Sequence, residues 1–291
     1  MGNKWLFFFL VLCVPLFARA PADSTDWYSP WQQKIEQCAS VKELNHILAT
    51  AEQQFRNQPL RLLRIEYLYT RNYYDVLRRN MQAARSKQEQ KKFLQTYGTR
   101  NQSWEKLILR IDQVAARVDS IRDEDLYYFA RSNHLAAQRI RFYSRLKKQG
   151  LPNFAFVDLQ GNKHRFAEFK GKYILIFFWN RHSVPCTEEL SYLVKAQQTF
   201  PQLRIIGIYI TLLQNPMEKE IVLNLIKEKQ LNWIHIYGAQ ATEFKKQFFV
   251  RTFPTILFFD RQQRLLNEPL DLNGSFQNEK LLSTLKKYIK N

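Results

Sequence analysis

At 291 residues the chain is long enough for two domains, each with its own hydrophobic core. A composition that is 45% hydrophobic and 24% charged, with only 8 Gly and 10 Pro, excludes a disordered or low-complexity chain. The net charge of +18 is spread evenly: residues 23–149 hold 23 basic and 14 acidic side chains, residues 150–291 hold 19 and 12, and neither half has the basic stripe or tail of a nucleic-acid binder.

Lys4 supplies a positive start, residues 5–17 form an apolar run too short for a permanent span, and small residues come next at Ala18, Ala20 and Ala22. That order predicts a cleaved signal peptide over residues 1–22 and a periplasmic or otherwise exported mature chain. Pro21 disfavours cutting after Ala20, so Ala22 is the better site. Pro15 and Arg19 argue against an uncleaved anchor, and the large Leu12 argues against lipidation of Cys13. The mature chain keeps Cys38 and Cys186, which export would permit to pair. Whether they pair is open on the sequence, because each falls in a different domain.

Residues 23–149 read as an all-α domain. Ser40-Val41-Lys42-Glu43 has capping-box spacing, with a Ser oxygen and a Glu carboxylate available to the free amides of a helix start. Residues 60–97 predict one long helix or two, interrupted near Thr70-Arg71-Asn72. Trp104, Leu107, Ile108, Ile111, Val114, Ala115 and Val118 keep helical spacing. Ser120-Ile121-Arg122-Asp123 resembles another start, and Leu126, Phe129, Ile140, Tyr143 and Leu146 mark the buried side of the helix it opens. Four or five such helices share a core as a bundle, and no internal period suggests a repeat array. Tyr67, Tyr69, Tyr73 and Tyr74 fit a packed seam better than a ligand groove.

At Gly150-Leu151-Pro152 the periodicity changes, and residues 150–291 read as an α/β domain. Residues 154–157 and 163–166 flank Gln160-Gly161-Asn162, a hairpin turn signal. Residues 173–179 form a strand too uniformly apolar to be an edge. Next come a helix over 190–200, a strand over 203–210, a helix over 217–229, a short strand over 233–237 and a helix over 241–248. A strand over 255–259, a hairpin partner at 264–266 and a closing helix over 279–289 complete a mixed sheet flanked by helices.

Several blocks of this half occur in an order that resembles the thioredoxin-like superfamily, in its TlpA/ResA-like thiol-disulfide oxidoreductase and redoxin (AhpC/TSA-type) branch. They are Leu151-Pro152-Asn153-Phe154, Asp158-Leu159-Gln160-Gly161, Phe169-Lys170-Gly171-Lys172-Tyr173, Phe177-Phe178-Trp179, Pro185-Cys186-Thr187-Glu188-Glu189, and Val250-Arg251-Thr252-Phe253-Pro254-Thr255 leading to Phe259-Asp260. The resemblance implies a thioredoxin-like fold, a redox centre at the helix after the first central strand, and a cis proline at Pro254. In that family a cysteine at a helix start is activated by free amides and the helix dipole. A second cysteine one turn in resolves the mixed disulfide. The proline loop opposite offers backbone groups to an extended peptide.

Aligned to that pattern, the Cys-x-x-Cys pair becomes Ser183-Val184-Pro185-Cys186, so Ser183 stands where the attacking thiol would be and Cys186 where the resolving one would be. A hydroxyl forms no disulfide, and the dithiol cycle is unavailable within this motif. His182 replaces the usual Trp and Thr252 a common Gly. Peroxiredoxins, which share the fold, offer a rival alignment with Cys186 as the peroxide-reactive thiol. Against it, the motif proline falls at Trp179 and the activating Arg at Pro254, leaving Arg251 as the cation of that loop.

Three activities stay open on the sequence: unconventional thiol chemistry at Cys186, peroxide reduction by Cys186, and capture of extended peptides or envelope proteins in a groove formed by Trp179, His182, Phe253 and Pro254. His182 beside Arg181 is placed to lower the Cys186 pKa through positive charge. The plainer alternatives are a small buried Cys186 and a solvated His182. Glu188 and Glu189 read as acids of the first helical turn. His46, His134, His164 and His235 lack metal-ligand spacing, so no metal and no cofactor is expected. The basic surface is compatible with peripheral contact with an anionic membrane.

Overall fold

The computed structural model of the chain describes residues 26–83, 86, 88–89, 102–118, 121–211, 217–267 and 279–289. The expected signal peptide over 1–22, Ser120 and the side chains of Tyr74 and Trp104 lie outside what is described. Two compact units divide the chain, Met1–Ala137 and Gln138–Asn291.

The first unit is helical: α1 (Ser29–Glu36), α2 (Val41–Gln54), α3 (Pro59–Ala83), α4 (Gln102–Ala115) and the start of α5 (Glu124–Gln149). Ser40 caps α2 by accepting the Glu43 N–H at 3.2 Å, and the Glu43 carboxylate accepts the Ala39 N–H at 3.0 Å. α3 is continuous through Thr70-Arg71-Asn72. Thr70 Oγ1 donates to the Glu66 carbonyl at 2.8 Å and Asn72 Nδ2 to the Leu68 carbonyl at 2.9 Å, so both polar side chains bond one turn back instead of breaking the helix. Leu44, Leu63, Ile65, Val76 and Ile111 are wholly buried between these helices. Tyr69 and Tyr73 pack into the same core, their ring centroids 5.6 Å apart, and Tyr69 donates to Asn45.

The division between the two compact units falls inside α5. Phe142, Tyr143 and Leu146 from its last turns enter the α/β core, and the Tyr143 hydroxyl donates to the Phe248 carbonyl. Gly150, at φ +85°, ends the helix where a β-carbon would lie 2.9 Å from the Gln263 carbonyl oxygen.

The second unit continues with the hairpin β1 (Ala155–Val157) and β2 (Lys163–Arg165), a 3-10 turn (Phe166–Phe169), β3 (Tyr173–Trp179), α6 (Val184–Thr199), β4 (Leu203–Tyr209), α7 (Glu218–Glu228), β5 (Ile234–Ile236), α8 (Gly238–Gln247), β6 (Thr255–Phe259) and α9 (Glu279–Tyr288). A mixed four-stranded sheet runs in the order β5-β4-β3-β6, with β6 antiparallel and the rest parallel. β3 is central, and its strand period of two divides its side chains between two cores. Ile174, Ile176 and Phe178 face the core shared with α5 and α8; Leu175, Phe177 and Trp179 face the one shared with α6 and α9. The expected partner strand at 264–266 is reduced to one bridge between Leu265 and Phe259.

Candidate functional site

Sheet register brings the singled-out residues to one end of β3. Thr255 pairs with Phe178, which sets Pro254 level with Trp179, the last residue before the loop to Ser183. The Phe253–Pro254 peptide is cis. Ser183 is the N-cap of α6, and its carbonyl accepts the N–H groups of Cys186 at 2.9 Å and Thr187 at 3.2 Å. Pro185 fits the first turn, where no amide is needed. The helix therefore starts at Val184, earlier than the apolar pattern alone suggested.

Cys186 is 0% exposed, packed with Trp179 and Leu190. Its place in the first turn favours a thiolate, but burial acts the other way and prevails, pushing the thiol pKa above its ordinary value. Hydrogen bonding from the Ser183 side chain and from the backbone at Asn180 offsets part of this, while the negative charge of Glu189 adds to it. Glu188 and Glu189 fall beyond the first turn, and Glu189 is 1% exposed on the inward face of α6. The reading of both as simple first-turn acids is thereby corrected. Cys38 and Cys186 are both free thiols; Cys38 is buried and donates to the Ser40 carbonyl at 3.2 Å.

The Arg181 charge of the loop serves a different partner. Arg181 donates from Nε and Nη2 to the two carboxylate oxygens of Glu218, at 2.9 and 3.0 Å. His182 Nε2 lies 3.7 Å from the same carboxylate, and its backbone N–H donates to Asn180 Oδ1 at 3.1 Å. Tyr209 also donates to Glu218, which is fully buried at the first turn of α7. The Cys186 pKa is thus raised by burial, where His182 beside Arg181 was expected to lower it; the Arg181 guanidinium and the His182 ring both face the Glu218 carboxylate. Arg251 is exposed and its charge acts on Arg139 of α5.

Trp179 is 0% exposed, stacked on Phe177 and edge-on to Tyr209, so it underlies this end of the sheet instead of lining a groove. Phe253 and Pro254 are half-buried, Phe253 packs against both cores, and the Lys245 ammonium lies 5.6 Å from its ring centroid. His182 and Pro185 are exposed, and Val184 is 65% exposed. Among the described residues no group of three His, Cys, Asp or Glu could hold a metal ion. Glu218 and Asn180 were not legible as site residues: an acid opening a helix looks like any helix start, and Arg181, which binds Glu218 through two hydrogen bonds, is 37 residues away in sequence.

Residues 148–266 match the AhpC/TSA family. Over 136 residues the chain is 28% identical to the thiol-disulfide oxidoreductase ResA of Bacillus thuringiensis subsp. konkukian, covering 47% of this chain and 75% of that one. The ResA of Geobacillus thermodenitrificans is 28% identical over 116 residues, covering 40% of this chain and 52% of its own. The thioredoxin domain of a thiol-disulfide oxidoreductase from Bacteroides vulgatus is similar in structure, with a TM-score of 0.40, 22% identity, and coverage of 48% of this chain and 94% of that one.

Proposed function

We propose that this chain, whose residues 148–266 are similar to the AhpC/TSA family and to ResA thiol-disulfide oxidoreductases, is an exported member of the thiol-disulfide oxidoreductase family that captures extended peptide segments without dithiol turnover. The observation that carries the reading is Cys186 itself: buried, raised in pKa and placed behind Ser183. A thiol that must be deprotonated to react is held in its neutral form. The attacking position carries a hydroxyl that cannot form a disulfide. What remains of the family's machinery is the cis-proline loop, level with the end of β3, from which the chain runs on to the exposed Val184 and Pro185. Backbone groups on such a loop bind an extended chain as an added strand. Export rests on the charged, apolar and small-residue order of residues 1–22.

The same observation weighs against peroxide reduction, which needs an exposed, acidic thiol. The deciding experiment is reduction of insulin disulfides by the purified protein with a dithiol reductant. Turnover at background is expected; robust turnover by the unaltered chain would sink the reading.

A further inference from the structure

Three buried ring nitrogens converge on one spot against β4. Trp179 Nε1, Trp233 Nε1 and His235 Nδ1 each lack a hydrogen-bond partner among the described residues. Their residues are 0%, 9% and 1% exposed. Gly207 explains how they meet: a β-carbon built on it would lie 2.9 Å from Trp233 Nε1, 3.2 Å from His235 Nδ1 and 3.4 Å from Trp179 Nε1. In the sheet, Gly207 pairs with Phe177 of β3 and His235 of β5. Trp179 is two residues beyond Phe177 and Trp233 two before His235, so the rings rise from one face around the missing side chain.

The chemistry of the cradle is set by its hydrogens. An indole nitrogen only donates. His235 Nε2 lies 2.9 Å from the Leu231 carbonyl, which can only accept, so Nε2 carries the hydrogen and Nδ1 presents a lone pair. Burial depresses the ring's pKa to about 4, which keeps the imidazole neutral at neutral pH. The cradle thus offers two donors and one acceptor. A cation meets two N–H groups there, and an anion meets a lone pair. The matching guest is small and uncharged, accepts two hydrogen bonds and donates one. An unmet buried hydrogen-bonding group destabilises the fold, and three together are rare unless something joins them.

We propose that Trp179, Trp233 and His235 bind one water molecule against Gly207, which accepts from both indoles and donates to Nδ1. Buried waters with about three such bonds are structural parts of proteins. This one links Trp179, which ends β3 just before the Ser183 loop, to β5 at the edge of the sheet. Its place does not depend on whether the neighbouring groove binds peptide.

Nuclear magnetic resonance of the full chain tests this at the six indole protons, with Trp179→Phe and Trp233→Phe assigning two of them. Both are expected to show cross-peaks to a long-lived water. Gly207→Ala should abolish both, because its methyl enters the cradle. Trp233→Phe keeps an aromatic ring but removes one donor, and should weaken the cross-peak at Trp179. Absence of water cross-peaks at either indole of the wild type overturns the proposal, as does their retention in folded Gly207→Ala. Should that variant not fold, Trp233→Phe decides: a weakened Trp179 cross-peak supports the site, and an unchanged one overturns it.

Discussion

The Arg181 guanidinium grips the Glu218 carboxylate through two hydrogen bonds, one to each oxygen, 2.9 and 3.0 Å long, and so ties the loop before α6 to the first residue of α7. Those bonds, with the one from Tyr209, hold the Glu218 pKa below its ordinary value against the effect of burial. A depressed carboxylate pKa means that the unfolded chain takes up the proton first. The stability it contributes is present above the ordinary glutamate range and lost as pH falls below it. Glu218→Gln should therefore melt several degrees lower than the wild type at about pH 7, and the gap should close toward about pH 3. Calorimetry across that range checks it. A gap independent of pH would mean that the carboxylate charge is not what matters.

The Cys186 thiol should alkylate much more slowly than an unfolded cysteine at neutral pH, and its rate should still be climbing beyond the ordinary thiol pKa of 9.0. Iodoacetamide labelling against pH, read peptide by peptide in a mass spectrometer, separates Cys186 from Cys38. A titration midpoint below neutrality at Cys186 would contradict the burial argument. It would also revive peroxide chemistry, which rapid trapping of a sulfenic acid at low peroxide would then reveal.

Ser183→Cys places a thiol at the N-cap of α6, where its own pKa is lowered by the helix start, one turn before Cys186. Insulin reduction should rise above the wild-type background, and the purified variant should carry a disulfide between positions 183 and 186. Failure to form that disulfide would argue that the loop held by Asn180 and Glu218 has left the family's geometry.

His235 gives a second pH signature. Its pKa of about 4, depressed chiefly by burial, lies below the unfolded value of 6.5, so the unfolded chain binds the extra proton between these values. Stability is full above pH 6.5 and declines toward pH 4, by on the order of 3 kcal/mol. Denaturant unfolding of the wild type should show the decline, and His235→Gln, whose amide can still donate to the Leu231 carbonyl, should lack it. An identical decline in both would remove His235 as its source.

Much of the second unit was readable from local pattern. The unbroken apolar run of β3 allowed only a central strand, and the Phe253-Pro254 block, in its order after the other blocks, implied the cis bond. What escaped depends on contacts that no local pattern records. Glu218 meets Arg181 and Tyr209 through the packing of α7, and Glu189 turns inward because α6 begins at Val184. Thr70 and Asn72 look like helix breakers in a string of residues, yet their side chains bond back into α3. Gly207 reads as a weak point in an apolar strand until three ring nitrogens are seen to gather around its missing side chain.

The proposed peptide groove makes the most direct claim on function, and Phe253 is its best handle. The ring is half-buried against both cores of the second unit, so Phe253→Ala carries a stability cost of about 1–2 kcal/mol, a fraction of the roughly 3–5 kcal/mol for a core aromatic. Phe253→Leu keeps most of that packing and isolates the loss of the aromatic edge. A carboxymethylated, permanently unfolded polypeptide is a suitable probe, because it offers extended backbone and no cysteine able to exchange. If the groove works through an added strand flanked by apolar surface, Phe253→Ala should weaken binding about tenfold or more, on the order of 1.4 kcal/mol, and Phe253→Leu by less. Cys186→Ala, a change behind the surface, should bind as the wild type does. Fluorescence titration at matched temperatures well below each variant's melting point keeps the stability cost out of the comparison. Binding that survives Phe253→Ala and disappears with Cys186→Ala would reverse the assignment, making the buried thiol the functional group and the proline loop only part of its scaffold.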